Sequence, residues 1–531
     1  MLTYFVVAPI LMAVFFYLFS FAKVTRIIVI TAQIALLGAA CYLFFITQEA
    51  DVITNVGNYE GFLGITLGAD SLTSVFILLT AFLFLVITIY SFHENNDRLF
   101  WFLLFLWQGL LIGVFLTRDL FNVFVLKEVA TVVVAVLIMY ERDNRSMYDG
   151  IIYLMVNIVV MQFYLFGIGY MYKITGVLDM DAAMYRVSVM DRALFFLPYA
   201  LIMTFVALKC ALLPLFSWLP KAHGTPGAPF SVSAILSGLH IKSGLYLFLR
   251  FQEIFEGIAI TEFFLVIGIL TAIVGVIMAL AQTDVKLILA YSTIAQIGLI
   301  MTGLNIFEPY YSYTGSLYHI INHAMAKSAL FLSAGMIIKT YGGVRDITKI
   351  RGVLRQNPLV GIATILAMLG MIGTPLFGGS ISKYFMMTNV NWLLTSVIVF
   401  INFGTILVFM KYSQMLFGHF KFEGDVPKPD GCQQASTFAL GVLCLGLGVF
   451  GEQVIGFLFG TSVSVSMAGY FEKIIIFVGS LIAGYLVYRF FVKGNGVLLA
   501  HIRRIDLGFR GICISMGVFF AMVLLAVGVL L

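Results

Sequence analysis

The sequence predicts an all-α polytopic membrane protein of about 14–16 transmembrane helices, and three observations carry that prediction. Long apolar runs recur along nearly all of the 531 residues. Only 11% of the residues are charged and mean hydropathy is +1.05, against about 25% charged in a soluble domain. The remaining charge is also oddly placed. Lys127, Lys209, Lys242, Lys327 and Lys383 lie inside apolar runs, together with Glu128. Each such residue costs about 2.5–3.5 kcal/mol at the centre of a membrane helix, or roughly 15–20 kcal/mol for the set. Stability alone would not place them there, so the pattern points to movement of charge.

The runs are expected at 2–21, 27–47, 71–92, 99–117, 119–140, 149–172, 196–216, 229–252, 261–281, 286–304, 312–338, 357–387, 391–417, 435–459, 471–493 and 509–531. The first lacks a basic start and is long enough to span, so no cleavable signal is expected. The loops after odd-numbered runs hold twenty Lys and Arg and those after even-numbered runs six. The basic side faces the cytoplasm, which predicts a cell (inner) membrane protein with both termini outside. Five scattered cysteines show no metal spacing, so no metal, cofactor or redox domain is expected. Nothing suggests a nucleic-acid partner.

Two runs should be broken. The seventh reaches Pro214 and Pro220, and the twelfth holds Gly370, Gly373, Pro375, Gly378 and Gly379. Proline removes a backbone donor and clashes with the preceding turn. The breaks also match: Leu213-Pro214-Leu215-Phe216 against Thr374-Pro375-Leu376-Phe377. They lie five runs apart, so the two segments face opposite ways. That predicts an inverted repeat of runs 4–8 and 9–13, a pattern that marks transporter sites near the midplane. Two unrelated kinks are the plainer alternative. The implied division is 1–95, 96–255, 256–420 and 421–531.

Glu128 has a tunable proton affinity, raised by burial and lowered by a nearby lysine. Lys127 is its neighbour, but adjacent helical side chains point about 100° apart. The two cannot share one simple contact, and the role of Lys127 stays open. Lys209 lies one to two turns before Pro214, Lys242 two residues after His240, and Lys383 beyond the second break. For each lysine the plain alternative is snorkelling to the interface. His319, His323 and Lys327 follow at i, i+4 and i+8 on one helix face. They read as a proton relay, as structural hydrogen bonding, or as a cofactor site; one i, i+4 pair is a poor haem or metal signal. Ser237, Ser243, Ser292, Thr293, Gln296, Ser316, Asn322 and Ser328 could bind the waters of a proton wire.

Three stretches carry a family resemblance. They are Lys209-Cys210-Ala211-Leu212-Leu213-Pro214-Leu215-Phe216-Ser217-Trp218-Leu219-Pro220-Lys221-Ala222-His223, the Asp284 to Gly298 segment with Tyr291-Ser292-Thr293, and His323 to Leu332. They resemble the proton-conducting antiporter-like subunits of respiratory complex I, Mrp-type cation/proton antiporters and membrane-bound hydrogenases, over roughly residues 70–420. The nearest likeness is to the D-type Mrp subunit or a related hydrogenase subunit. The resemblance implies the inverted five-helix repeat, broken helices seven and twelve, and a hydrophilic axis at mid-membrane. It places Glu128, Lys209, Lys242, His323, Lys327 and Lys383 at family positions. The sequence departs from the pattern at Lys127, usually aromatic or apolar, and at Gly224-Thr225-Pro226-Gly227, usually more acidic. It also has no extended lateral helix at its end.

The function expected is a proton-translocating subunit of a multisubunit Na+ or other monovalent cation/proton antiporter, with no catalytic site of its own. Its proton path would use Glu128, Lys209, His240, Lys242, His319, His323, Lys327 and Lys383, with other membrane subunits and the bilayer as partners. The alternatives are a subunit of a redox-driven complex, such as an NADH:quinone oxidoreductase or membrane-bound hydrogenase, and a non-transporting structural subunit.

Overall fold

The structure is a computed structural model that describes residues 1–19, 23–58, 64–94, 96–306, 310–419, 429–493 and 497–530. The expected domain limits at 95 and 420–421 fall outside that set. The first helices are α1 (Leu2–Leu18), α2 (Lys23–Thr47), α3 (Ser71–Tyr90), α4 (Arg98–Leu116), α5 (Leu120–Ile138), α6 (Asn144–Thr175), α7 (Met180–Val189) and α8 (Phe196–Lys209). There follow α9 (Trp218–Gly224), α10 (Phe230–Ile235), α11 (Ile241–Ile254), α12 (Thr261–Ala281), α13 (Val285–Leu304), α14 (Tyr310–Thr340), α15 (Val353–Gln356) and α16 (Pro358–Ile372). The last are α17 (Gly378–Met386), α18 (Trp392–Ser413), α19 (Gly431–Val449), α20 (Gly451–Phe459), α21 (Met467–Val487), α22 (Val497–Arg503) and α23 (Phe509–Leu530). An antiparallel hairpin, β1 (Val52–Asn55) with β2 (Thr66–Ala69), stands between α2 and α3 and pairs Val52 with Ala69.

Among the described residues, fourteen helical stretches are long and apolar enough to cross a membrane. Two shorter apolar helices, α1 and α16, occupy the remaining predicted positions. The chain is a multi-pass membrane protein. Its scarce acids are used largely at helix starts. Asp70, Asp97, Asp119, Asp143, Asp179, Asp284 and Asp430 accept backbone N–H groups that open α3, α4, α5, α6, α7, α13 and α19. Such a cap stabilises a helix by about 1 kcal/mol.

The chain forms two compact units. The first comprises Met1–Pro229, Leu239–Ile260 and Leu507–Leu531. In it α5 and α8 pack on α6, and α4 packs on α1 and α5. Asp119 forms an isolated antiparallel bridge with Asp179. The second comprises Phe230–Gly238 and Thr261–Asp506. There α14 packs on α13, α16, α17 and α19, and Asp284 bridges Asp346. Each bridge joins the acid that caps one helix to an acid beyond the next long helix. Small residues bring α12 and α13 together: a Cβ on Gly298 would lie 2.3 Å from the Ala272 nitrogen.

Four cations that read as loop charges are instead enclosed: Lys221, Arg250, Lys286 and Lys411. Lys411 Nζ donates to the Leu280 and Gln282 carbonyls at the end of α12, where Arg503 Nε also bonds Ala281 O at 2.8 Å. Lys286 lies 4.2 Å from the centre of the Phe230 ring. Enclosed cations of this kind say less about orientation than exposed loop cations do.

Asp70 ties the start of α3 to two guanidinium groups, Arg118 at 2.8 Å and Arg250 at 2.5 Å. Burial pushes the Asp70 carboxyl up. The Arg250 charge, the Thr73 N–H and the Arg118 charge outweigh this and hold it well below the usual carboxylate range. A carboxyl depressed on folding contributes stability above its unfolded value of about 4 and loses it as pH falls further. The thermal midpoint of the purified protein in detergent is therefore expected to drop below about pH 4. Asp70→Asn should lower the midpoint at pH 7 and flatten that acid decline.

Candidate functional site

In the first unit the intramembrane charges gather around α5. Lys127 and Glu128 are adjacent and so point to different faces. Lys127 is 1% exposed, whereas Glu128 is half-buried. Lys127 Nζ donates to Ser243 Oγ at 2.5 Å, and Ser243 Oγ donates to His240 O. One turn on, Thr131 gives its hydroxyl proton to Lys127 O at 2.8 Å. That leaves the Thr131 oxygen free to accept from Lys209 Nζ at 3.3 Å.

Lys209 is the last residue of α8, and its amine also bonds Asn157 Oδ1 at 2.6 Å. Asn157 Nδ2 donates to Tyr153 O at 2.8 Å, which turns the amide oxygen toward the lysine. No ion pair joins Glu128 to Lys209 among the described residues, although the two act on each other electrostatically. Beyond Lys209 the chain leaves the helix before α9, through Ala211 at φ 52 and then Pro214. The Leu208 carbonyl there accepts both from Ala211 N and from Trp218 Nε1, each at 2.8 Å.

His240 lies in a single π turn, Leu236–His240. Trp107 Nε1, which can only donate, reaches its Nδ1 at 3.3 Å. Nδ1 must then accept, so the ring is neutral with its proton on Nε2, which faces Tyr153 OH at 3.4 Å. Lys242, two residues on, is fully enclosed.

In the second unit the chain leaves the helix between α16 and α17, through Gly373 at φ 78, Pro375, and Leu376 at φ 71. Lys383 on α17 reaches back to the freed Met371 carbonyl at 2.7 Å and across to Asn402 Oδ1 at 2.6 Å. A Cβ on Gly379 would lie 2.0 Å from the Gly370 carbonyl, so only glycine allows this close return. A cavity of about 40 Å³, lined by Lys383, Asn402, Ser380 and Lys473 among others, adjoins the amine. It is roomy enough for water.

α14 presents His319, His323 and Lys327. Lys327 Nζ donates to Leu289 O at 2.9 Å and to Ser292 Oγ. His319 Nε2 meets Gln296 Oε1 at 2.9 Å, while Gln296 Nε2 donates to Thr405 at 3.0 Å. With the amide turned that way, Nε2 of His319 donates, and Nδ1 meets Ser382 Oγ at 2.8 Å, whose hydroxyl also reaches Gly379 O at 3.2 Å. Both ring nitrogens are thus engaged by neutral groups. The His323 ring lies 6.4 Å from that of His319, centre to centre.

The first unit therefore brings together Lys127, Lys209 and His240, with Glu128 on the outer face of the same helix and Lys242 beside Ser243. The second brings His319, Gln296 and Ser382 together and sets Lys327 and Lys383 against their own acceptors. The sequence reading passed over Thr131, Asn157 and Asn402, which hold the amines. A signal existed, since Asn157 and Asn402 are each an amide flanked by apolar residues inside a predicted run. Asn157→Leu should leave Lys209 with one acceptor and destabilise the protein by about 1–3 kcal/mol. The check is a lowered thermal midpoint with unchanged helix content.

A family profile described as the transmembrane region of NADH:quinone oxidoreductase and Mrp antiporter proteins matches residues 117–410. The D-type subunit of the Na(+)/H(+) antiporter of Alkalihalophilus pseudofirmus is 30% identical over 413 residues, covering 74% of this chain and 83% of the relative. The N-type subunit of the NADH-quinone oxidoreductase of Desulforudis audaxviator is 30% identical over 422 residues, with the same two shares. Among solved structures, a chain of the Mrp complex from Dietzia sp. superposes with a TM-score of 0.78 at 22% identity. The match covers 90% of this chain and 99% of that one.

Proposed function

This chain belongs to the NADH:quinone oxidoreductase/Mrp antiporter transmembrane family, and we propose that it is a proton-translocating subunit of a multisubunit Na+/proton antiporter. The observation that carries this reading is the state of its lysines. Lys209 and Lys383 sit beside interrupted helices, and both are enclosed and held by neutral oxygens. An amine so placed can exist with or without its proton, because no carboxylate locks the charge in place. The relative named as a D-type antiporter subunit supports the choice of antiport and of Na+ as the coupled cation.

In this reading a proton enters one half-channel, passes Glu128, Lys209, Lys242 with His240, then His319, His323 and Lys327, and leaves at Lys383. Glu128 and Lys209 form the switch: the charge on one sets the proton affinity of the other. His240 takes part only when it turns from Trp107, since that contact holds the ring neutral. The path runs through two inverted repeats, residues 96–255 and 256–420. The paired breaks at Pro214 and Pro375 support that symmetry, as do the bridges Asp119–Asp179 and Asp284–Asp346. The basic bias of alternate loops supports an outside location for both termini. Other membrane subunits complete the complex.

A second reading, a proton-pumping subunit of a redox-driven complex, is favoured by the relative named as an NADH-quinone oxidoreductase subunit. The proteins that co-purify with the chain decide between them, because redox partners bring iron–sulfur centres. The test of transport itself is mutational. Lys209→Ala, Glu128→Ala and Lys383→Ala should each abolish proton-coupled cation transport in membrane vesicles while the complex still assembles. Full transport by an assembled Lys209→Ala complex would sink the reading and leave a structural subunit.

A further inference from the structure

The proton path through Glu128 and Lys209 bypasses Lys127, the most deeply set charge on α5. Its amine bonds Ser243 Oγ, and Lys209 bonds Thr131 and Asn157. All these acceptors are neutral, and among the described residues no carboxylate pairs with either amine. The titratable groups around Lys127 are Lys209 and Cys210 at the end of α8, His240 and Lys242 near Ser243, and Glu128 on its own helix. Lys127 and Lys209 act on each other electrostatically, and both act on His240. Two ammonium ions enclosed together without a counter-ion would each bear a desolvation penalty of several kcal/mol, with mutual repulsion added.

We propose that Lys127 is a second proton-holding group of the first unit, sharing one positive charge with Lys209 so that charging either discharges the other. In one state the proton is on Lys209 and Lys127 is a neutral amine. In the other an N–H bond at Lys209 has broken, one at Lys127 has formed, and the total charge of the cluster is unchanged. In both states His240 is neutral while the Trp107 N–H holds its ring.

Lys209 is then governed from two sides by groups of opposite sign. Glu128, ionised on the outer face of α5, favours a proton on Lys209. Lys127, charged on the inner face, expels it. Because the two are adjacent in sequence, a small rotation of α5 changes both influences together. A proton arriving at Lys127 therefore drives the one on Lys209 forward, toward Lys242.

The inference rests on the proposed transport function, and one experiment separates the two. Proton-coupled cation transport is measured against pH in vesicles carrying the assembled complex, for Lys127→Met, Lys127→Arg and, as control, Lys209→Met. Lys127→Met should shift the pH profile by about one pH unit toward alkaline values. Lys127→Arg keeps the bond to Ser243 but not the ability to lose its proton. It should be worse than Lys127→Met, with transport reduced at least about tenfold. A lysine kept only for structure predicts the reverse order, with arginine close to wild type. That order, or an unshifted Lys127→Met profile, overturns the inference while an inactive Lys209→Met leaves the transport reading intact. Full transport by Lys209→Met overturns both. If the arginine variant does not assemble, the methionine profile decides alone.

Discussion

A lysine amine placed in hydrocarbon must be solvated by the protein, and much of this structure follows from how that is done. Lys127, Lys209, Lys327 and Lys383 each bond serine or threonine hydroxyls, asparagine amides or main-chain carbonyls. A carboxylate would hold each charge more firmly, and a buried ion pair is hard to open once made. Neutral oxygens satisfy the N–H groups without fixing the charge. The contrast lies within the same unit: where Asp70 meets Arg118 and Arg250, full charges are paired at the start of a span and serve as a clasp.

Some of the acceptors come from helix ends. The last turn of a helix has carbonyls left over from its own ladder, while Leu289 O inside α13 takes Lys327 as a second donor. The end of α16 offers Met371 O to Lys383, and the end of α12 offers Leu280, Ala281 and Gln282 to Lys411 and Arg503. At the end of α8 the Leu208 carbonyl takes both the Ala211 N–H and the Trp218 indole, and Lys209 turns to side chains. At Lys383 helix interruption and charge placement are thus one device. The breaks create oxygen partners at a depth where lipid supplies none.

Much of this was legible in the sequence. Apolar runs of membrane-spanning length located the long helices, and Pro214 and Pro375 fall where the chain leaves the helix after α8 and α16. Stranded lysines stood out because the surrounding residues were apolar. Partners were not legible, because helical periodicity tells which face a residue occupies and not what lies opposite. Lys127 and Glu128 show the limit. The 100° between them assured different surroundings, but only packing shows the lysine turned inward and the glutamate outward. Lys286 and Lys411 read as loop cations because they fall at span ends, and only the carbonyls and ring they touch reveal them as enclosed. Thr131 looked like a filler residue, yet its backward bond to Lys127 O frees an oxygen for Lys209.

The amine of Lys383 makes two bonds, one to Met371 O and one to Asn402 Oδ1. An ammonium has three N–H groups and a neutral amine has two. In the proposed path, when Lys383 gives up its proton, both bonds can persist, and what disappears is charge alone. The same arithmetic holds for Lys209 with Thr131 and Asn157. The interrupted helices are thereby insulated from the titration of the lysines that brace them. In the proposed cycle the scaffold can keep one shape, and the transferred charge would be felt at a distance through the field, without collapse of the backbone nearby.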